Sequence, residues 1–177
     1  MRLWGPEHKL MNSSSTIRCA FLLSLVLAFG ISAYSSSPVD PSEPLLTDAI
    51  PADPQIPSTH MVTAEQLSQT LKSQKPLVLQ IGPRSMYEQA HIPGAEYIGA
   101  TSTPEGVDAL RARVKSLPKN QPIVMYCGCC PWERCPNVHP AYKLLRDLGY
   151  SNARVLYIAH DFGTDWVNKG YPVEKGK

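Results

Sequence analysis

The chain has 177 residues, and 43% of them are hydrophobic, so it can form one domain of ordinary size with a substantial core. Its formal net charge is only +2, and no cluster of Lys and Arg could follow a phosphate backbone. Composition therefore argues against nucleic acid as a partner and gives no basis for binding to an anionic membrane surface.

Residues 1–34 have the pattern of a secretory signal peptide. Arg2, Lys9 and Arg18 precede an apolar run at 20–31, and small and polar residues follow it. The run is shorter than the roughly 20 residues that a membrane-spanning helix needs. We therefore expect an exported protein, periplasmic or extracellular. An uncleaved N-terminal anchor is the alternative, and it is the only membrane contact that we expect.

Residues 35–59 are predicted to form a disordered linker. Prolines recur through this segment at positions Pro38, Pro41, Pro44, Pro51, Pro54 and Pro57. Proline at this density favours extended polyproline II chain over packed structure. The folded domain is therefore predicted at residues 60–177, which is a common domain size.

The rest of the chain alternates between helical patterns and short apolar runs. In chain order we predict a helix at 64–73, a strand at 77–81, a short helix at 85–89, a helix at 104–116, a strand at 123–126, a helix at 138–148, a strand at 155–158 and a helix at 162–169. This alternation indicates an α/β domain with a mostly parallel sheet. In such sheets the ligand site lies beyond the carboxyl ends of the strands.

Four of the five cysteines fall within the loop that follows the predicted strand at 123–126, and Cys127 follows the strand directly. A loop that ends at a helix N-terminus presents unpaired N–H groups and the positive end of a helix dipole. We therefore expect the pKa of Cys127 to fall and its thiolate to act as a nucleophile. Arg134 could hold an anionic substrate.

Two other interpretations of these thiols stay open. Cys127, Cys129, Cys130 and Cys135, with His139, could bind a soft metal such as zinc or copper(I), although their spacing is not that of common structural zinc sites. A disulfide is the other interpretation, and Cys130 with Cys135 is the best-spaced pair. Cys129 and Cys130 are adjacent and would need strained geometry to bridge each other.

Several short segments together resemble the rhodanese family, over about residues 66–173. These are AHIPGA at 90–95, IVMYC at 123–127, LLRDLGY at 144–150, DFGTDW at 161–166 and GYPV at 170–173. The resemblance implies a three-layer fold with a central five-stranded parallel sheet flanked by helices. It also implies transfer of sulfane sulfur through a persulfide on Cys127, with no cofactor.

The resemblance implies a small sulfur donor, such as thiosulfate or a persulfide, and a thiol acceptor. The loop residues expected to bind the substrate are Gly128, Cys129, Cys130, Trp132 and Arg134. The additional thiols Cys129, Cys130 and Cys135 could resolve a persulfide on Cys127 in a thiol–disulfide relay. The alternatives are a metal-binding or thiol–disulfide redox module on the same fold and a non-catalytic partner domain.

The chain departs from the family pattern in two places. Gln80-Ile81-Gly82 stands where the family usually has Asp-x-Arg, and the active loop is longer than usual. Arg134 lies seven residues after Cys127 but five after Cys129, and five is the usual spacing, so Cys129 is an alternative nucleophile. The C-x5-R spacing of the related dual-specificity phosphatases is absent here, which makes phosphatase activity a weak third choice.

Other conspicuous residues have mainly structural interpretations. We expect His91 to hydrogen-bond the backbone in its turn and Trp166 to pack in the core. Trp132 could cover the cysteine, face a partner or pack over the loop. His160 and Asp161 follow a predicted strand and could line the same pocket.

Overall fold

The computed structural model describes residues 49–176. The signal peptide or anchor predicted at 1–34 and the first part of the predicted linker lie outside these residues. Within the described part of the chain, no helix has both the length and the apolar character needed to cross a membrane.

Five parallel strands form one sheet in the order β1-β5-β4-β2-β3. The strands are β1 (Met61–Val62), β2 (Leu77–Gln80), β3 (Glu96–Tyr97), β4 (Ile123–Tyr126) and β5 (Ala153–Leu156). The expected central parallel sheet is therefore confirmed. The apolar runs did not predict β1 and β3, because two-residue strands are too short to show a periodic pattern.

The described helices lie near their predicted positions: α1 (Ala64–Ser73), α2 (Arg84–Gln89), α3 (Pro104–Val114) and α4 (Val138–Asp147). Thr63 caps α1 in a capping box with Gln66. The helix predicted at 162–169 is instead a short π-helical turn, Gly163–Val167. The N–H of Asn168 donates to the carbonyl of Gly163, which widens this turn.

Side chains of β4 alternate between two cores, one on each face of the sheet. Ile123 and Met125 pack with Leu110 of α3 and Leu145 of α4. Val124 and Tyr126 pack on the opposite face, in the core that contains Leu67 of α1 together with Phe162 and Trp166. The period of two along a strand therefore predicts that Cys127, the next residue, faces α4. Cys127 does belong to the core on that side.

The packed chain begins upstream of the boundary predicted at residue 60. Ile56 is completely buried in the core that contains Cys127, and Ile50 packs against the same core. The carboxylate of Asp53 accepts hydrogen bonds from the backbone N–H groups of Gln55 and Ile56, at 2.7 and 2.9 Å. These contacts make residues 50–57 an ordered strap on the domain, although the linker prediction had included them. The many prolines of this segment indicated an extended linker and gave no sign that one of its residues, Ile56, is buried.

Candidate active site

The loop between β4 and α4 carries all four described cysteines, at the carboxyl edge of the sheet. The neighbouring strand β2 contributes Gly82 just beyond its end. A Cβ atom placed on Gly82 would lie 2.8 Å from the Cys127 sulfur, so no larger side chain fits there without displacing that sulfur. Gly82 stands where the family usually has the arginine of Asp-x-Arg, and a side chain at this position would collide with the Cys127 sulfur.

Three cysteine sulfurs form a cluster, which we define as Cys127, Cys129 and Cys135. All three Sγ atoms lie within 4.8 Å of one another. The thiol of Cys127 donates to Cys129 Sγ at 3.1 Å. Cys130 lies beside the cluster, with its Sγ 3.3 Å from that of Cys129, and it also points toward the carbonyl of Arg134 at 3.7 Å. The four cysteines are free thiols in this structure.

The expectation that the pKa of Cys127 falls is wrong in this arrangement. Cys127 is only 2% exposed, and its proton is shared with neighbouring sulfurs. Hydrogen bonds to Cys129 and Cys135, together with burial, raise the pKa of Cys127 well above its ordinary range. The same hydrogen bond from Cys127 lowers the pKa of Cys129, which is half-buried, to about 5. The negative charge of the cluster is therefore carried most easily by its most exposed sulfur.

The expected stabilisation by a helix N-terminus acts on Cys135 instead. A hydrogen bond from Cys127 lowers the pKa of Cys135, and the N–H groups of Asn137 and Val138 at the start of α4 lower it further against the opposing effect of burial. The start of α4 therefore stabilises a thiolate on Cys135, two residues before the N-cap Asn137, and not on Cys127.

Asn137 is the site residue that sequence reasoning missed. It is the N-cap residue of α4, but its side chain makes no cap hydrogen bond. Its buried Nδ2 group instead lies 3.3 Å from Cys127 Sγ and 3.8 Å from Cys129 Sγ, and donates toward both. Thr101 Oγ1 donates to the carbonyl of Asn137 at 2.6 Å, and the N–H of Ser102 donates to Asn137 Oδ1 at 2.9 Å. No local pattern reveals these contacts, because Thr101 and Ser102 lie more than thirty residues upstream.

The remaining residues expected to bind substrate are distributed around the cluster. Gly128 is buried with φ of 76°, and a Cβ there would lie 2.6 Å from Cβ of Phe162, so the position requires glycine. Trp132 is buried and packs edge-on against Tyr157, with ring centroids 5.2 Å apart. Packing over the loop is therefore the structural role of Trp132. Arg134 is exposed.

The strap is joined to the active loop through Asp53. Its carboxylate, 6% exposed, accepts from Trp132 Nε1 at 3.1 Å and from His139 Nε2 at 3.0 Å. Burial favours the neutral form of Asp53, but the hydrogen bonds from His139, Gln55 and Ile56 outweigh this effect and lower its pKa. His139 thus faces Asp53. Among the described residues, the side chains close enough to share a metal ion are those of Cys127, Cys129 and Cys135, and this group includes neither His139 nor Cys130.

His91 and His160 have local structural partners. His91 is buried, stacks on Tyr87 with ring centroids 3.8 Å apart, and donates from Nδ1 to the carbonyl of Tyr87 at 2.7 Å. His160 Nδ1 lies 3.1 Å from Asp165 Oδ1. Asp161 accepts from the N–H of Thr164 at 2.8 Å. His160 and Asp161 therefore make their described contacts within the C-terminal turn.

Replacing Asp53 tests the strap. We expect Asp53→Asn to lower the free energy of unfolding by about 1–3 kcal/mol near pH 6, because a buried charged acceptor is lost. The folded-state pKa of Asp53 is lowered from 3.8. The carboxylate therefore stabilises the fold fully above that value, and the contribution is lost as pH falls through the folded pKa. Urea unfolding followed by tryptophan fluorescence should show the two proteins converging below about pH 3.8.

Asp108→Asn is the matched control, because Asp108 lies exposed on α3. It should change the free energy of unfolding by less than about 0.5 kcal/mol. A difference between wild type and Asp53→Asn that stays constant with pH, or grows as pH falls, would contradict the role assigned to the Asp53 carboxylate.

Comparison with known proteins connects this fold to a family. The sequence model of the rhodanese-like domain matches residues 63–158, which is more than half of the chain. No curated protein matches the sequence significantly.

Three solved structures illustrate the likeness in fold. The crystal structure of the Alr3790 protein from Anabaena sp. is 25% identical with a TM-score of 0.51, over 65% of this chain and 92% of that one. The solution structure of the rhodanese-like domain from the same protein is 24% identical with a TM-score of 0.50, over 66% and 79% of the two chains. The BH2092 protein from Bacillus halodurans is 22% identical with a TM-score of 0.50, over 67% and 78%.

The family match runs from α1 to the residues just after β5 and includes four of the five strands, and β1 directly precedes it. The sequence resemblance spans about residues 66–173, and the family match covers most of that span. On these grounds the chain belongs to the rhodanese-like domain family.

Proposed function

We propose that this domain transfers sulfane sulfur, and that Cys129 carries the persulfide. The observation that carries the proposal is the position of Cys129 in the cluster. Its sulfur is the most exposed of the three and lies 3.1 Å from the Cys127 thiol that donates to it. A thiolate that a donor molecule can reach is what the first step of sulfur transfer requires.

The proposed reaction uses an anionic sulfur donor of the thiosulfate or persulfide class. The Cys129 thiolate attacks the outer sulfur of thiosulfate, the sulfur–sulfur bond of the donor breaks, and sulfite leaves with the electron pair. The outer sulfur stays on Cys129 as a persulfide and then passes to a thiol acceptor. Asn137 Nδ2, 3.8 Å from Cys129 Sγ, is placed to interact with the negative charge. Exposed Arg134 supplies a positive charge on the same loop.

This proposal differs from the role first predicted for Cys127. Cys127 follows β4 directly, as expected for the family's cysteine, but it is almost fully buried and acts as a proton donor within the cluster. The usual spacing of five residues between cysteine and arginine also connects Cys129, not Cys127, with Arg134.

Sulfur transfer from thiosulfate to cyanide in single variants of the full chain tests the assignment. Cys129→Ser should lower the rate by roughly a thousandfold or more, because serine cannot form the persulfide. Cys127→Ser should retain the rate within about tenfold, since a hydroxyl can still donate to Cys129. Cys19→Ser removes a thiol upstream of the domain and should react as wild type does.

The reverse result would contradict the proposal. If Cys127→Ser abolished transfer while Cys129→Ser kept it, the persulfide would belong to Cys127, as the family position predicts. If wild-type protein gained no sulfur from thiosulfate and formed no thiocyanate, sulfur transfer from this donor class would be wrong.

Binding of a soft metal is a second candidate function, which the spacing of the same three sulfurs favours. Cys127, Cys129 and Cys135 lie within 4.8 Å of one another, close enough for one zinc or copper(I) ion to contact all three. Metal analysis of freshly purified, reduced protein should find about one ion per chain if this function is correct. Cys135→Ser should then lose the ion, and metal-free wild-type protein would exclude this candidate.

We also propose that the protein is exported. This part rests on the charged, apolar and small-residue pattern of residues 1–34. Expression of the full chain in a secreting host should yield a mature protein whose intact mass shows removal of this segment. Retention of the full-length chain in the cytoplasmic fraction would contradict export.

A further inference from the structure

We propose that Cys127 resolves the persulfide on Cys129, so that the domain releases hydrosulfide and forms a Cys127–Cys129 disulfide. The inference rests on the proposed function, because it requires a persulfide on Cys129. It adds a second activity, reduction of sulfane sulfur to sulfide, and a second kind of partner, a dithiol reductant.

Distance selects Cys127 as the resolving thiol. Its Sγ lies 3.1 Å from that of Cys129, so formation of a bond of about 2.05 Å needs an approach of about 1 Å. Cys130 is almost as near, at 3.3 Å, but adjacent cysteines can bridge each other only with strained geometry. Cys135 also belongs to the cluster, with its Sγ within 4.8 Å of that of Cys129, and is therefore the competing resolving thiol.

Cys127 and Cys129 differ in burial, and this difference decides which groups can reach each sulfur. Cys127 is 2% exposed, and its thiol faces Cys129 across the interior of the loop. Molecules in solution reach Cys129 from its exposed side. An outer sulfur added to Cys129 from solvent would therefore lie away from Cys127, and Cys127 would approach the inner sulfur from the buried side. Displacement of a sulfur requires this arrangement, with the entering and leaving sulfurs on opposite sides of the one attacked.

The step balances without an added oxidant. The sulfur of Cys127 forms a bond to the inner sulfur of the persulfide, which is Cys129 Sγ. The bond between Cys129 Sγ and the outer sulfur breaks, and the outer sulfur leaves with the electron pair and the former thiol proton as hydrosulfide. The sulfane sulfur is reduced by two electrons, and the two cysteine sulfurs are oxidised to a disulfide.

The disulfide must be reduced before the next cycle. Cys129 remains the reachable half of the pair, so an external thiolate would attack Cys129 and leave Cys127 as the departing thiol. A dithiol completes the reduction without leaving a mixed disulfide on the loop, because its second thiol displaces the first. The partner is therefore a dithiol compound or protein, and dithiothreitol serves as the probe.

A single-turnover experiment on the reduced full chain, freed of added thiol, tests the inference. Thiosulfate is added, hydrosulfide is measured, and the disulfide is mapped by mass spectrometry. We expect about one hydrosulfide per chain and a Cys127–Cys129 disulfide, with repeated turnover only after dithiothreitol is supplied. Cys127→Ser should release at least tenfold less hydrosulfide for each sulfur that Cys129 takes up, because serine cannot form the disulfide.

The outcomes separate this inference from the proposed function. Wild-type protein that forms a persulfide and transfers it to cyanide, but releases no hydrosulfide, overturns the inference alone. A disulfide that maps to Cys129 and Cys135 also overturns it, by assigning resolution to the other thiol of the cluster. Wild-type protein that takes up no sulfur overturns both. Disulfide mapping on the wild type gives a result even if Cys127→Ser does not fold.

Discussion

The alternation of side chains along β4 is the constraint on which the site depends. β4 lies in the middle of the sheet between β2 and β5, and all four of its residues are buried. Ile123 and Met125 therefore face α3 and α4, and Cys127 follows on the same side. A shift of one residue would turn the cysteine toward Phe162 and Trp166 on the other face. Because both faces are packed, such a shift would disrupt two cores.

Asn137 links two sulfurs of the cluster, because its side-chain amide donates toward both Cys127 and Cys129. It lies in the loop between β4 and α4, next to the loop between β3 and α3. Thr101 and Ser102 of that second loop hold Asn137 in place through hydrogen bonds. Its neutral amide contributes a hydrogen bond without adding charge to a buried region. Three thiols can then share protons among themselves, with the negative charge on the sulfur nearest solvent. A cationic side chain in the same position would hold charge on the buried sulfur instead.

The strap extends the domain beyond the family match and connects it with the active loop. Ile56 supplies apolar burial, and Asp53 joins the strap to Trp132 and His139. Trp132 and His139 are thereby fixed on one carboxylate beside the cysteine cluster. The strap thus helps to hold the loop that carries Cys129, Cys130 and Cys135, although it lies far from that loop in the sequence.

Sequence alone was sufficient for the α/β class, the main strands and helices, the family resemblance and the importance of the cysteine loop, because each of these depends on local periodicity, capping residues or short motifs. It did not identify β1, β3, the strap or Asn137, since each of these is defined by contacts with residues distant in the chain. Tertiary structure also determines which of the thiols keeps its proton and which carries the negative charge. A thiol's pKa depends on its burial and on which neighbours donate to it, and the order of cysteines along a loop determines neither.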